Sequence, residues 1–297
     1  MGNRRLGSKR LEAVVDQLLS NAGGTGINGS PFALRDGDRY YLEEYFAQLP
    51  KLNASLIIDA NADDAAALAV YTATNKNFEI LGTNASNDDV TFSAACAGIQ
   101  LQTDGADNDS VIVLPHLDSV QSAWGKAGQW GSENRPEWEC VIRTDSSVAD
   151  MAFWGGLKLT NTPVYATDTD QAYFLYDSTD DSGALTTNAN LHFVYSSGGS
   201  DFVTDLGIAV AANTTYRLTV TLDGDRKPSA FVDGVQYNLT SATTAGGVSG
   251  LGKGKVKGTA LADDKDLIPY NGLIARTDAA KTLVLSCIRM SRIIFEV

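Results

Sequence analysis

Two carboxylates one residue apart, Glu137 and Glu139, flank Trp138. Alternate side chains on a strand share a face. Such a pair could supply the acid and the nucleophile of a retaining glycoside hydrolysis, whose carboxyl groups stand about 5–5.5 Å apart. The plainer reading is a solvated strand face. The histidines give less. His116 follows Pro115 at the end of an apolar run, and His192 sits inside Leu191 to Tyr195. Neither has a Ser or Cys nearby in a nucleophile-elbow context, so no triad can be built.

Asp-rich segments raise the question of calcium, which takes carboxylate and carbonyl oxygens. Asp104, Asp107 and Asp109 form one such segment; Asp168 with Asp170, and Asp180 with Asp181, form two more. Their spacing does not match the EF-hand loop, and Asp suits turns for its own backbone reasons. Gly-rich stretches at 23–29 and 246–258 match neither a P-loop nor a dinucleotide fingerprint. Cys96, Cys140 and Cys287 are widely separated and lack CxxC spacing, so they read as small buried hydrophobes. The expectation is no catalytic residue, no metal and no cofactor.

The elements that must carry these residues are mostly short strands. Val111 to Leu114 is a compact apolar run between Asp109 and Pro115. Trp138, Cys140 and Ile142 alternate with Glu137, Glu139 and Arg143. Tyr216, Leu218, Val220 and Leu222 alternate with Arg217, Thr219 and Thr221, which points one face inward. Turns rich in Asp, Asn, Gly and Ser recur between these runs, as in a sandwich or barrel. Phe78 to Gly82 and Lys281 to Val297 read as further strands.

The first residues follow a different rule. Leu11, Val14, Val15, Leu18 and Leu19 fall on one face of an amphipathic helix from Ser8 to Leu19, with Ser8 as N-cap and Asn21, Gly23 and Gly24 ending it. Arg4, Arg5, Lys9 and Arg10 make a basic cluster in a chain of formal charge −13. Tyr40 to Leu49 reads as a second short helix, and Ala62 to Tyr71 has alanine-rich helical propensity. The division is a basic arm and Gly-rich linker at 1–30, a segment packing on the body at 31–76, and a β-sandwich at 77–297.

With 43% hydrophobic residues the chain can fill a core. Its acidity argues against non-specific nucleic-acid binding. No apolar stretch approaches the roughly 20 residues that span a bilayer. The N-terminus has no apolar h-region and no small-residue cleavage site, so no secretory signal is expected.

The hairpin from Tyr216 to Tyr237, with its Asp223-Gly224-Asp225 and Asp233-Gly234 turns, resembles the late hairpin of concanavalin A-like jelly rolls. Phe153 to Leu157 resembles the central segment of that family, and Leu267 to Ile274 its closing segment. The resemblance covers residues 77–297 and implies a mainly β, antiparallel jelly-roll sandwich, here with a short N-terminal helical arm. Glucanases of this fold carry an E-x-D-x-E-type strand. Here the frame of Glu137 and Glu139 continues into Val141 and Arg143, which weakens any hydrolase reading. A lectin-like reading would use Trp124, Trp130 or Trp154 to stack on sugar rings.

A second resemblance is narrower. Asn3 to Leu11, Phe78 to Asn84 and Thr103 to Asp109 are similar to segments of virion structural proteins of marine tailed phages. That implies a non-enzymatic capsid decoration or cement protein, made in the host cytoplasm and ending in the virion. Arg4, Arg5, Lys9, Arg10, Leu11, Val14, Val15 and Leu18 would then anchor it on the major capsid protein or another virion protein. Homo-oligomerisation, most simply a trimer, would multiply weak arm contacts. The alternative is a carbohydrate-binding tail or head appendage that contacts host glycans.

Overall fold

The structure, a computed structural model, describes residues 39–52, 78–115, 130–160, 168–180, 184–185, 187–242 and 255–293. The expected arm, with Arg4, Arg5, Lys9, Arg10, Leu11, Val14, Val15 and Leu18, lies outside them, as do Ala62 to Tyr71, His116, Trp124 and Asp181.

The chain runs β1 (Arg39–Glu44), β2 (Lys51–Leu52), β3 (Glu79–Leu81), β4 (Val90–Phe92), β5 (Ile99–Gln102) and β6 (Ser110–Leu114). It continues with β7 (Trp130–Gly131), β8 (Glu137–Thr144), β9 (Met151–Lys158), β10 (Gln171–Asp177), β11 (Asn190–Ser197) and β12 (Ser200–Ala209). It closes with β13 (Thr215–Leu222), β14 (Pro228–Val232), β15 (Val235–Gln236), β16 (Asp266–Ala275) and β17 (Thr282–Ile293).

These strands form two sheets packed as a jelly-roll β-sandwich. One, sheet A, has the order β15-β14-β13-β8-β17-β5-β4, with β1 also on β17. The other, sheet B, has the order β12-β11-β10-β9-β16-β6-β3-β2, with β7 on β16. The pairings are antiparallel apart from β2 with β3. Strands distant in sequence lie side by side, so the fold is held by non-local contacts.

The alternation in β8 and β13 does what its period requires. Trp138, Cys140 and Ile142 of β8, and Tyr216, Leu218, Val220 and Leu222 of β13, are buried between the sheets. Aromatic rings cross the core from Trp138 to Phe174 (6.5 Å) and from Phe174 to Phe193 (5.2 Å). In contrast β9 and β10 are buried along their whole length. Both of their faces are covered, which explains why their sequences run apolar without alternating.

The helix expected over Tyr40 to Leu49 is instead the strand β1. Arg39–Glu44 pairs with the second half of β17, Arg39 opposite Ile293 and Glu44 opposite Ile288. Tyr40 and Leu42 pack on the core, and the Tyr40 ring sits 5.8 Å from that of Trp130. The edge of β17 satisfies the backbone of this segment, and that outweighs a weak local helix propensity.

Candidate functional site

The outer face of sheet A carries a cleft of about 160 Å³ where β1, β17, β8 and β13 lie side by side. Tyr41 and Glu43, Glu137 and Glu139, Thr219, Arg289 and Ser291 line it. The register makes the juxtaposition. Glu139 lies opposite Thr219 on one side and Arg289 on the other, and Glu137 opposite Ser291. Residues about 150 positions apart are therefore cross-strand neighbours.

The two carboxylates flagged by their spacing do share this face, and each of their oxygens meets a donor. Arg39 Nη2 stands 3.4 Å from Glu137 Oε1, and Ser291 Oγ donates to Glu137 Oε2 at 3.1 Å. Arg289 Nη1 donates to Glu139 Oε1 at 2.9 Å. Arg217 Nε, at 3.2 Å, and Thr219 Oγ1, at 3.3 Å, face Glu139 Oε2. Arg289 continues outward, donating from Nη2 to the Tyr45 hydroxyl at 2.9 Å, and Tyr45 is one of the large apolar-bodied residues left exposed. An acid of a retaining pair must deliver a proton and its partner must attack with a bare oxygen. Glu139, with two guanidinium groups against it, is poorly placed for either task, whereas Glu137 is half exposed with one guanidinium 3.4 Å away. Together they build a polar, two-signed surface with tyrosines at its rim.

Sheet B presents a different outer face. Lys158, Gln171, Ser196 and Asp201 fall on one cross-strand row over β9 to β12. Lys158 Nζ donates to Gln171 Oε1 at 2.5 Å, Gln171 Nε2 to Ser196 Oγ at 2.8 Å, and Ser196 Oγ to Asp201 Oδ1 at 2.6 Å. Lys158 is fully buried, 3.5 Å from Asp168 Oδ2 and 4.1 Å from the Tyr173 ring centre. Burial pulls its pKa down to about 8, although the neighbouring Asp168 works against the shift. Beside this row lies an apolar layer that includes Trp154, Tyr173 and Tyr270. The Trp154 indole lies over Gly272, where a Cβ would come within 2.1 Å of the ring.

Of the tryptophans expected to stack on sugars, Trp130 and Trp154 are therefore not available for that role, and Trp124 lies outside the described residues. Trp130 is 0% and Trp154 2% exposed, both packed into apolar layers. Large aromatics return more free energy buried than displayed, which is why they fill cores here. His192 is also buried, its Nδ1 3.0 Å from the Asn190 carbonyl oxygen, and burial lowers its pKa.

Most of the Asp-rich segments serve their own backbone. Asp109 accepts from Asn84 Nδ2 at 2.6 Å and from the Ala106 N–H at 3.1 Å. Asp168 Oδ2 accepts the N–H groups of Leu159 and Thr160, and Asp180 that of Leu185. Cys140 and Cys287 are buried free thiols, and Cys96 is a half-buried one.

No family model matches the chain, and no curated protein matches it. Among solved structures it is similar to a protein of unknown function from Shewanella oneidensis, at 10% identity and TM-score 0.46, covering 87% of this chain and 89% of that one. It is similar to the carbohydrate recognition domain of Emp46p in its potassium-bound form, at 10% identity and TM-score 0.43, covering 86% and 100%. It is also similar to a glycoside hydrolase family 16 endo-glucanase from Bacteroides ovatus, at 8% identity and TM-score 0.45, covering 73% and 95%. Likenesses this distant carry no argument about ligand or activity. No helix among the described residues is long and apolar enough to cross a membrane.

Proposed function

We propose that this chain is a non-enzymatic structural protein of a virus particle, a capsid decoration or cement protein whose jelly-roll body is held by its N-terminal arm. The observation that favours a non-enzymatic role is that Glu139 is held by Arg217, Thr219 and Arg289, and Glu137 by Arg39 and Ser291. The virion placement rests on the sequence of Asn3 to Leu11. In this reading Leu11, Val14, Val15 and Leu18 bury against a neighbouring virion protein. Each contributes at most about 1.5–3 kcal/mol before the cost of ordering the arm. Arg4, Arg5, Lys9 and Arg10 meet acidic side chains of the partner. Several arms acting together in a homo-oligomer turn weak single contacts into stable attachment.

Co-sedimentation with isolated capsids of a marine tailed phage tests this. Full-length protein should pellet with the capsids, and protein lacking residues 1–24 should stay in the supernatant. Equal pelleting of the two would remove the arm from the account, and no pelleting of either would remove the capsid.

A glycan-binding appendage is the second reading, supported by the sheet A cleft with its fixed polar groups and the exposed Tyr45. Planar charged side chains locked by one another suit sugar hydroxyls because little order is lost on binding. A glycan array should then show binders that Arg289→Ala loses. An array with no binder, with and without calcium, ends this reading.

A further inference from the structure

We propose that residues 53–77 run across the outer face of sheet B and seat the expected Ala62 to Tyr71 helix on its apolar rows. Two such rows cross that face. Leu81, Ile112, Trp154 and Leu175 follow one another from β3 to β10, with Gly272 between the second and third. Tyr270, Tyr173, Val194 and Val203 follow from β16 to β12, with Gly156 between the first two. An antiparallel sheet that faced solvent would carry polar residues here. Instead Ile112, Trp154, Tyr173 and Tyr270 are 4% or less exposed in the single chain.

That burial identifies the kind of occupant. These residues form an apolar layer separate from the core between the sheets, and Leu185 is its one described member from outside sheet B. A face buried without any partner chain is covered by its own chain. Among the segments outside the described residues, the strand connections single out 53–77.

β2 and β3 are parallel neighbours, Lys51 opposite Glu79 and Leu52 opposite Ile80. A tight turn cannot join parallel strands. The chain has to return to the start of β3 over one face of the sheet, through about a dozen residues or more. Residues 53–78 are that connection. The inner face is already filled, since Phe78, Ile80 and Val113 are buried in the core between the sheets. The outer face is open to the return, and the first apolar row starts beside it at Leu81 and Ile112. The sequence suits the seat. Ala65, Leu68 and Ala69 fall at i, i+3 and i+4, one stripe of a helix. Two alanines let the helix backbone approach the sheet closely, with Leu68 as the anchor between them. Sheet B is then closed on both faces, so a ligand or partner that uses a sheet face meets sheet A.

The test is nuclear Overhauser spectroscopy of methyl-labelled full-length protein, with Leu68→Met and Ile112→Val assigning the two signals by their loss. Contacts from Leu68 to the two rows, such as Ile112 or Leu81, are expected. Contacts to Val113 of the inner core, or none to either row, overturn the seating. Thermal unfolding supplies a second reading. Leu68→Asp drives a charge into the apolar layer and should lower the midpoint by about 4 °C or more. Ala67→Asp, on the opposite side of the helix, should move it by about 1 °C or less. Equal shifts overturn the seating as well. Neither measurement bears on capsid or glycan binding, which the arm deletion and the array test separately.

Discussion

Gly156→Ala should lower the free energy of unfolding by about 3 kcal/mol or more. Gly156 sits in β9 with φ +153°, and a Cβ there would come within 2.5 Å of Tyr173 Cα and 2.6 Å of the Ala172 carbonyl oxygen. Both atoms are backbone of the neighbouring β10, paired residue for residue with β9. A flexible side chain could swing away; a strand in the middle of sheet B cannot shift without loosening β9, β10 and β16 together. The cost therefore combines an unfavourable dihedral with a clash that has no cheap relief. Gly198→Ala is the control. Its φ is +55° and nothing lies within 4 Å of the added methyl, so it should cost about 1 kcal/mol. Urea unfolding of the two variants decides the matter, and equal costs would mean that β9 and β10 do not approach as described.

The second large effect is a pH dependence carried by Lys158. Burial lowers its pKa from an ordinary 10.5 to about 8. Between those values the unfolded chain binds more protons than the folded one, so this group's contribution to stability rises with pH. Below pH 8 the whole penalty is present, on the order of 3 kcal/mol, and it fades as pH climbs toward 10.5. Buried thiols and phenols, such as Cys140 and Tyr173, have raised pKa values through desolvation and pull stability down in the alkaline range. Comparison with Lys158→Met cancels them, since both proteins contain them. Relative to that variant, the wild type should gain about 2 kcal/mol between pH 7 and pH 9.5. Parallel stability curves would show that Lys158 is not charged and buried together. His192 acts at the other end: burial lowers its pKa below 6.5, so its cost to stability appears only as pH falls below that value.

A buried lysine that costs stability at neutral pH calls for an explanation in the fold. The row from Lys158 through Gln171 and Ser196 to Asp201 crosses four strands, and a slip of one residue would turn all four side chains to the opposite face. The row therefore penalises wrong registers of β9 to β12, among which β9 and β10, buried on both faces, otherwise specify register weakly.

Much of the architecture was written in the chain itself. The period-two patterns of Trp138 to Ile142 and Tyr216 to Leu222 fixed strands and their inner faces, because only one face of those strands meets solvent. The Asp233-Gly234 turn was readable too: Asp233 has φ +52° and Gly234 +79°, which suits a tight hairpin between β14 and β15. Glu137 and Glu139 could be assigned to a common outward face from spacing alone.

What local sequence could not supply was the identity of neighbours. Arg39, Arg217 and Arg289 surround Glu137 and Glu139 only because β13 and β17 flank β8 and β1 lies on β17, and no spacing rule links positions so far apart. The same holds for Tyr40 to Glu44, whose helical reading yielded to the open edge of β17. It also holds for Glu133, Asp263 and Asp264, which converge from loops about 130 residues apart. Trp130 and Trp154 looked like candidate platforms until burial placed them inside. Periodicity records which side of a strand avoids water; which strands become neighbours, and hence which charges meet, is decided by packing the two sheets into one core.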